Sequence, residues 1–216
     1  MTRRKRACDV TGALLGLAVL WPLLLVIGGA IAVEDGWPVL FRQERVGRDG
    51  RSFRLWKLRT MVRGAEQRGR QITVGADPRI TRVGRWLRAM KLDELPQLVN
   101  VLRGEMSLVG PRPEVPRYVA LYTPAQRAVL ALTPGITDPA SLRYYDESRV
   151  LDGAEDPERL YVDQIMPEKI RVNLEYAARA TAWSDVVVVL ATVRRLLSRA
   201  PGDGEPGSLI GSTLRP

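Results

Sequence analysis

The sequence predicts an α+β fold, mostly helical, in which an N-terminal membrane segment precedes one domain with a small β-hairpin and amphipathic surface helices. Three observations carry this. Residues 10–33 carry no charge. Two short apolar-polar stretches flank an Asp49-Gly50 turn signal. Several later segments show a helical apolar period opened by Thr, Asp or Pro.

Composition narrows the chemistry first. The 216 residues hold 33 Lys and Arg against 24 Asp and Glu, a net charge of +9. That balance suits an anionic partner: nucleic acid, anionic lipid or a phosphorylated substrate. One cysteine, Cys8, excludes an internal disulfide and a cysteine-based zinc cluster. Histidine is absent, which removes Ser-His-Asp and Cys-His catalysis and zinc-histidine sites. An enzyme of this composition works with carboxylates, Lys, Arg, Tyr and a hard metal ion.

The first element is residues 1–36. Arg3, Arg4, Lys5 and Arg6 precede the uncharged run. As a straight helix the run is about 36 Å long, enough to cross a bilayer. Pro22 falls near its middle and removes a backbone hydrogen bond, so a re-entrant helix broken at Pro22 competes with a simple span. A cleaved leader ending at Ala30-Ile31-Ala32 is a third reading, although the apolar run is long for one. Basic residues lie on both sides of the segment, from Arg42 to Arg59 on the far side, which places both ends in the cytoplasm. Arg6 and Asp9, one helical turn apart, are spaced to pair at the membrane surface.

Residues 38–46 and 52–58 then form the hairpin. Lys57 and Arg59, two apart, share a strand face, either as a solvated face or as a clamp for phosphate oxygens. Residues 62–80 read as a polar loop or lid. Residues 81–90 read as a basic helix with Val83, Trp86, Leu87 and Met90 on one face and Arg82, Arg85 and Arg88 on another, suited to a membrane surface or an anionic pocket.

The centre of the chain is Lys91-Leu92-Asp93-Glu94-Leu95-Pro96-Gln97-Leu98. Leu92, Leu95, Leu98, Val99 and Leu102 keep a helical period, and Gly104 sits where a C-terminal cap belongs. Pro96 is tolerated only in a first turn, so Asp93 and Glu94 lie at or just before the helix start. Three jobs are open to them: capping the helix, holding a metal ion, or attacking phosphorus.

Residues 106–109 read as a short strand. Pro111 and Pro113 frame Arg112 and hold that guanidinium in a preset place, as phosphate recognition requires. Thr123-Pro124 opens a helix to Leu132, and residues 133–137 read as a turn. Residues 140–151 carry no decisive pattern. Asp156-Pro157-Glu158 and Met166-Pro167-Glu168 each open a helix, and Ser184-Asp185 starts a last one to about Arg199. The Pro/Gly/Ser-rich residues 200–216 read as a disordered tail after a catalytic domain at 37–199.

Four motifs in this order resemble the bacterial sugar transferase family, the small monotopic phosphoglycosyl transferases. They are Lys5-Arg6-x-x-Asp9 before a proline-broken apolar segment; Phe53-x-x-x-Lys57-x-Arg59-Thr60-Met61; the run from Leu92-Asp93-Glu94-Leu95-Pro96 to Gly110-Pro111-Arg112-Pro113; and Pro134-Gly135-Ile136-Thr137. The resemblance spans residues 3–199. It implies transfer of a sugar-1-phosphate from a UDP-sugar to polyprenyl phosphate, releasing UMP, at the cytoplasmic face of the bacterial inner membrane. It implies Asp93 as nucleophile, Glu94 as ligand of Mg²⁺, and Arg112, Lys57, Arg59, Arg88 and Arg143 as substrate-binding residues. It further implies a re-entrant helix with Arg6, Asp9 and Pro22 as its membrane residues. It points away from nucleic acid as a partner and allows a homodimer. Two departures stand out. Trp21-Pro22 replaces the Ser-Pro of many members. Asp138-Pro139-Ala140-Ser141-Leu142-Arg143 stands where many carry a Gln-Val-x-Gly-Arg run, with Arg143 as the substitute arginine. The rival without the resemblance is a membrane-anchored basic module that binds nucleic acid or anionic lipid, with Asp93 and Glu94 merely capping.

Overall fold

The computed structural model describes residues 2–65, 77–145 and 147–198. Most of the expected lid (66–76), Asp146 and the expected tail lie outside the described residues.

Helix α1 runs from Arg3 to Asp35, capped by the Thr2 side chain, and Pro22 lies inside it. The expected break at Pro22 is not there: one missing N–H costs one hydrogen bond, and the turns on either side carry the helix through. Ala13, Leu17, Leu20, Leu24, Ile27 and Ile31 recur in steps of four and three and form one packed face. The opposite face is apolar and bare, with Val19 74% exposed and Val26 71%.

Both ends of α1 are tied to the same domain. Near the start, Arg6 donates to the carbonyls of Val101 (2.5 Å) and Leu102 (2.8 Å), and Asp9 accepts from the Leu108 N–H (3.0 Å). The expected Arg6–Asp9 pair is therefore not formed. Each side chain instead bonds backbone groups of the domain, at the end of α3 and in a short strand. At the other end, Glu34 accepts from the Arg82 and Val83 N–H groups (2.7 and 3.0 Å).

Strands β1 (Leu40–Val46) and β2 (Ser52–Leu58) form the antiparallel hairpin, in register from Leu40 opposite Leu58 to Val46 opposite Ser52. Asp49 (φ 57°) and Gly50 (φ 75°) both take the left-handed backbone that makes Asp-Gly a turn signal. Helix α2 (Arg82–Ala89) starts at Thr81, whose hydroxyl accepts from the Gly84 N–H (2.9 Å). Helix α3 (Gln97–Arg103) follows the carboxylate turn and ends at Gly104, φ 82°.

Strand β3 (Ser107–Val109) pairs in parallel with β4 (Gly135–Thr137). Residues 133–137 were expected as a turn only. The pairing depends on a backbone approach without side chains: a Cβ on Gly135 would stand 2.1 Å from the Gly110 nitrogen. Between these strands lie α4 (Pro116–Val119) and a 3₁₀ turn, Gln126–Ala131, where a longer helix was expected.

Helices α5 (Pro139–Arg143) and α6 (Glu147–Asp152) occupy the undecided stretch, α5 being capped by Asp138. Helices α7 (Pro157–Leu160) and α8 (Met166–Arg179) are joined end to end by a π turn, Tyr161–Ile165. Pro167 cannot donate to a carbonyl four residues back, and the Met166 N–H bonds Tyr161 instead. Helix α9 (Ala182–Leu197) begins earlier than expected because Thr181 and Ser184 close a capping box.

Among the described residues, three apolar clusters hold the domain. One joins β1, α4 and α7–α8 through Val46, Tyr118, Tyr161 and Met166. The second joins α1, β2 and α3 through Ala13, Leu55, Leu98 and Val101. The third joins α1, β2 and α2 through Ile31, Leu58 and Leu87. The N-terminal helix is thus part of two of the three.

Candidate active site

Asp93 and Glu94 lie in a 3₁₀ turn, Leu92–Glu94, just before α3. Lys91 opens the turn with a left-handed backbone, φ 55°, unusual for a residue with a Cβ. Both carboxylates are buried, and neither accepts a hydrogen bond from a backbone N–H among the described residues. Helix capping, the plainest role open to them in the sequence, is therefore not what they do.

Glu94 is clamped. Arg112 donates to both of its oxygens, through Nη1 at 3.1 Å and through Nη2, and Lys57 Nζ lies 3.5 Å from Oε1. Arg112 stands where Pro111 and Pro113 hold it, and Lys57 projects from β2 opposite Phe41. Asp93 receives no hydrogen bond among the described residues, yet cations surround it. Lys57, Arg88 and Lys91 all act on its charge.

These surroundings drive the two carboxyls apart. Burial pushes Asp93 up, Lys57 works against that, and the neighbouring Glu94 charge adds to it. Burial also works to raise Glu94, but Arg112 and Lys57 together hold it well below the usual carboxylate range. Lys57 itself is lowered to about 8, burial outweighing Glu94.

Helix α2 brings Arg88 to the same place. Gly84 packs so closely on β2's end that a Cβ would stand 2.1 Å from the Thr60 carbonyl oxygen. One helical turn on, Arg88 Nε donates to the Thr60 hydroxyl at 2.8 Å. Burial lowers the Arg88 guanidinium and Asp93 offsets this. Lys57, Arg88, Lys91, Asp93, Glu94 and Arg112 line one cavity of about 1500 Å³.

Two expected substrate ligands are engaged with other partners, although Arg59 also lines the cavity. Arg59 lies one residue beyond the end of β2, so the two-residue alternation with Lys57 does not apply to it. It turns to the end of α1 and donates to the carbonyls of Asp35 (2.9 Å) and Gly36. Arg143 ends α5 against α8 and pairs with Glu168 at 3.0 Å. It does not line the cavity.

One polar centre was missed. Glu114 accepts from the Tyr161 hydroxyl, from the Val115 N–H (2.9 Å) and from Arg45 (3.4 Å). Arg45 also donates to the Pro113 carbonyl (3.0 Å), next to Arg112. Glu114 follows the Arg112-Pro113 pair directly, which was a usable signal. Its partners come from β1 and the π turn and could not be read from spacing.

For a metal, the donor set is this pair alone. Among the described residues no group of three or more acidic, thiol or imidazole side chains is placed to hold an ion. Two adjacent carboxylates fit the way Mg²⁺ binds with substrate phosphates, through one or two protein oxygens and several waters, and do not fit an all-protein cage.

Residues 1–199 match the family described as bacterial sugar transferase. A UDP-glucose:undecaprenyl-phosphate glucose-1-phosphate transferase of Caulobacter vibrioides is 40% identical over 200 residues, 90% of this chain and 70% of that protein. A UDP-N-acetylgalactosamine-undecaprenyl-phosphate N-acetylgalactosaminephosphotransferase of Aeromonas hydrophila is 35% identical, covering 90% of this chain and 44% of its own length. An undecaprenyl-phosphate glucose phosphotransferase of Komagataeibacter xylinus is 37% identical, covering 88% and 35%. The chain thus spans less than half of the latter two proteins.

Proposed function

The chain belongs to the bacterial sugar transferase family, and from that premise we propose that it transfers a sugar-1-phosphate from a UDP-sugar to polyprenyl phosphate, undecaprenyl phosphate above all, and releases UMP. The carrying observation is the unequal treatment of two adjacent carboxylates. Glu94 has both oxygens engaged by Arg112 and Lys57, whereas Asp93 is buried beside cations without a hydrogen bond among the described residues. A desolvated carboxylate with open lone pairs is the stronger nucleophile of the two.

In the first step an Asp93 oxygen attacks the β-phosphorus of the UDP-sugar. The bond from that phosphorus to the bridging oxygen breaks, UMP leaves with the electron pair, and an acyl phosphate carrying the sugar remains on Asp93. In the second step an oxygen of polyprenyl phosphate attacks the same phosphorus. The acyl bond breaks, a lipid diphosphate sugar forms, and the Asp93 carboxylate is restored. Arg112, Lys57 and Arg88 supply positive charge to phosphate oxygens in both steps. Glu94 would hold Mg²⁺, which would supply positive charge to the diphosphate.

The membrane arrangement we infer is monotopic, at the cytoplasmic face of the bacterial inner membrane, as the first membrane step of a glycan pathway. Support comes from α1, whose two ends are both anchored on one domain while its outer face is bare and apolar. A helix held at both ends by one domain keeps both ends on that domain's side, with its bare face toward the membrane. Cysteines placed at residues 2 and 36 should both escape a reagent that labels only periplasmic thiols; labelling of either contradicts this placement.

The reaction itself is tested by UMP release in lipid particles with Mg²⁺ and undecaprenyl phosphate. UDP-glucose, UDP-galactose and their N-acetylated forms are offered in turn. Release with one donor, lost without Mg²⁺, is expected. A basic module that only binds lipid or nucleic acid would release none.

A further inference from the structure

Of the cations that surround Asp93, Lys57 belongs to β2 and Lys91 to the carboxylate turn itself, whereas Arg88 is carried by α2. The place of Arg88 therefore depends on what holds α2 and on what holds Thr60, whose hydroxyl accepts from its Nε. Consecutive residues at the end of α1, Glu34, Asp35 and Gly36, hold both.

Glu34 holds α2. The first N–H groups of a helix have no partner within that helix. In α2 the Gly84 N–H goes to the Thr81 hydroxyl, and the two before it go to Glu34: Arg82 to Oε1 at 2.7 Å and Val83 to Oε2 at 3.0 Å. One carboxylate thus spans two N–H groups at the positive end of the α2 dipole, where an anion is favoured. It arrives from another element, so it fixes where α2 starts as well as capping it.

Asp35 and Gly36 hold the residue before Thr60. Arg59 Nη2 donates to the Asp35 carbonyl at 2.9 Å and to that of Gly36, and lies 3.0 Å from the Asp35 carboxylate. Carbonyls left open at a helix C-terminus favour a cation for the same reason. Thr60 then meets α2 twice. Its carbonyl accepts from the Thr81 N–H at 3.1 Å, and its hydroxyl accepts from Arg88. Ile31, Leu58 and Leu87 pack as one buried group among α1, β2 and α2. The end of α1, the pair Arg59-Thr60 and α2 therefore close a ring of contacts, and Arg88 reaches from it to the wall of the cavity that holds Asp93.

We propose that Glu34 is a positioning residue for Arg88: it fixes α2 to the end of α1 so that the guanidinium stands ready for a phosphate oxygen of the donor. This rests on the transfer reading above. Glu34 does not line the cavity and acts only through α2.

The test is a double-mutant cycle. In lipid particles, kcat/KM for UMP release is measured for the parent, Glu34→Ala, Arg88→Met and the two together. Glu34→Ala alone should lose about tenfold, since a small misplacement at a reacting centre costs at least that much. In the Arg88→Met background the same change should cost less than about twofold, because nothing is left for it to act through. Equal losses in the two backgrounds would make Glu34 a general support and overturn the proposal, as would no loss in either. Val33→Ala, one residue earlier on the bare face, should change nothing; a loss equal to that of Glu34→Ala also overturns it. Melting is followed throughout. If Glu34→Ala does not fold, Glu34→Gln, which keeps one acceptor oxygen, goes through the same cycle with a loss of about threefold expected. A second measurement does not depend on turnover. Arginine is labelled with nitrogen-15, the Arg88 signal is identified by its loss in Arg88→Met, and exchange of the Arg88 Nε–H with water is timed. It should quicken about tenfold in Glu34→Ala as the bond to Thr60 loosens. An unchanged rate overturns the proposal. A parent that releases no UMP with any donor would strike the transfer reading, and the exchange rate would still decide whether Glu34 sets Arg88.

Discussion

At Glu114 the neighbours are donors: the Tyr161 hydroxyl, the Val115 N–H and Arg45 all point at its carboxylate. At Asp93, in the same cavity, the neighbours are charges that do not touch it. Lys57 is committed to Glu94, Arg88 to Thr60, and Lys91 lies over Tyr145. The first centre is a satisfied polar network, and it holds the backbone that carries Arg112. The second keeps one carboxylate unbonded amid positive charge, a costly state in a folded protein unless something else is gained. Satisfied donors mark a scaffold. On the proposed transfer, the acceptor kept open beside cations is where a phosphorus atom would arrive.

This contrast is broken first at Asp93. Asp93→Asn removes the proposed nucleophile while keeping its shape, and UMP release should fall by about 10⁴-fold or more with the melting transition retained. Residual activity within tenfold of the parent would move the chemistry away from Asp93. Arg112→Met comes next. It strips Glu94 of its bidentate partner and removes a phosphate-facing cation, so kcat/KM should drop by about 10²- to 10³-fold. Stability should fall by about 1–3 kcal/mol in urea unfolding, because a buried carboxylate loses two donors.

Glu114→Gln acts on the scaffold. It puts an amide donor among donors, and unfolding should come about 2 kcal/mol sooner. UMP release measured well below the transition should change less than about tenfold, since no reacting atom is touched. A loss as deep as that at Asp93 would erase the distinction between the two centres. The smallest effect belongs to Arg143→Ala. Its pair with Glu168 is at the surface, so stability should shift by no more than about 0.5 kcal/mol and UMP release should not change. A large loss of activity there would restore Arg143 to the site.

Much of the frame was legible because it depends on local rules. Asp49-Gly50 placed the hairpin turn, Thr81 the start of α2, and Pro96 with Gly104 the two ends of α3. Asp93, Glu94, Lys57, Arg88 and Arg112 were named from sequence, and they line one cavity. What escaped depends on tertiary contact. β4 exists only because Gly110 and Gly135 let two backbones meet. Arg59 left the strand face because β2 ends one residue before it. Arg6 and Asp9 ignored each other because the end of α3 and β3 offered backbone groups nearby. Glu114 and Tyr161 meet through the π turn that Pro167 imposes, which no local spacing records.

The most direct measurement is a mass spectrum of the chain after exposure to its UDP-sugar donor with no lipid acceptor. Covalent transfer predicts UMP released in about one equivalent per chain and a phosphosugar on the peptide that contains Asp93, discharged when polyprenyl phosphate is added. An unmodified peptide, with UMP appearing only when donor and acceptor are present together, would mean direct transfer and would contradict the role assigned to Asp93.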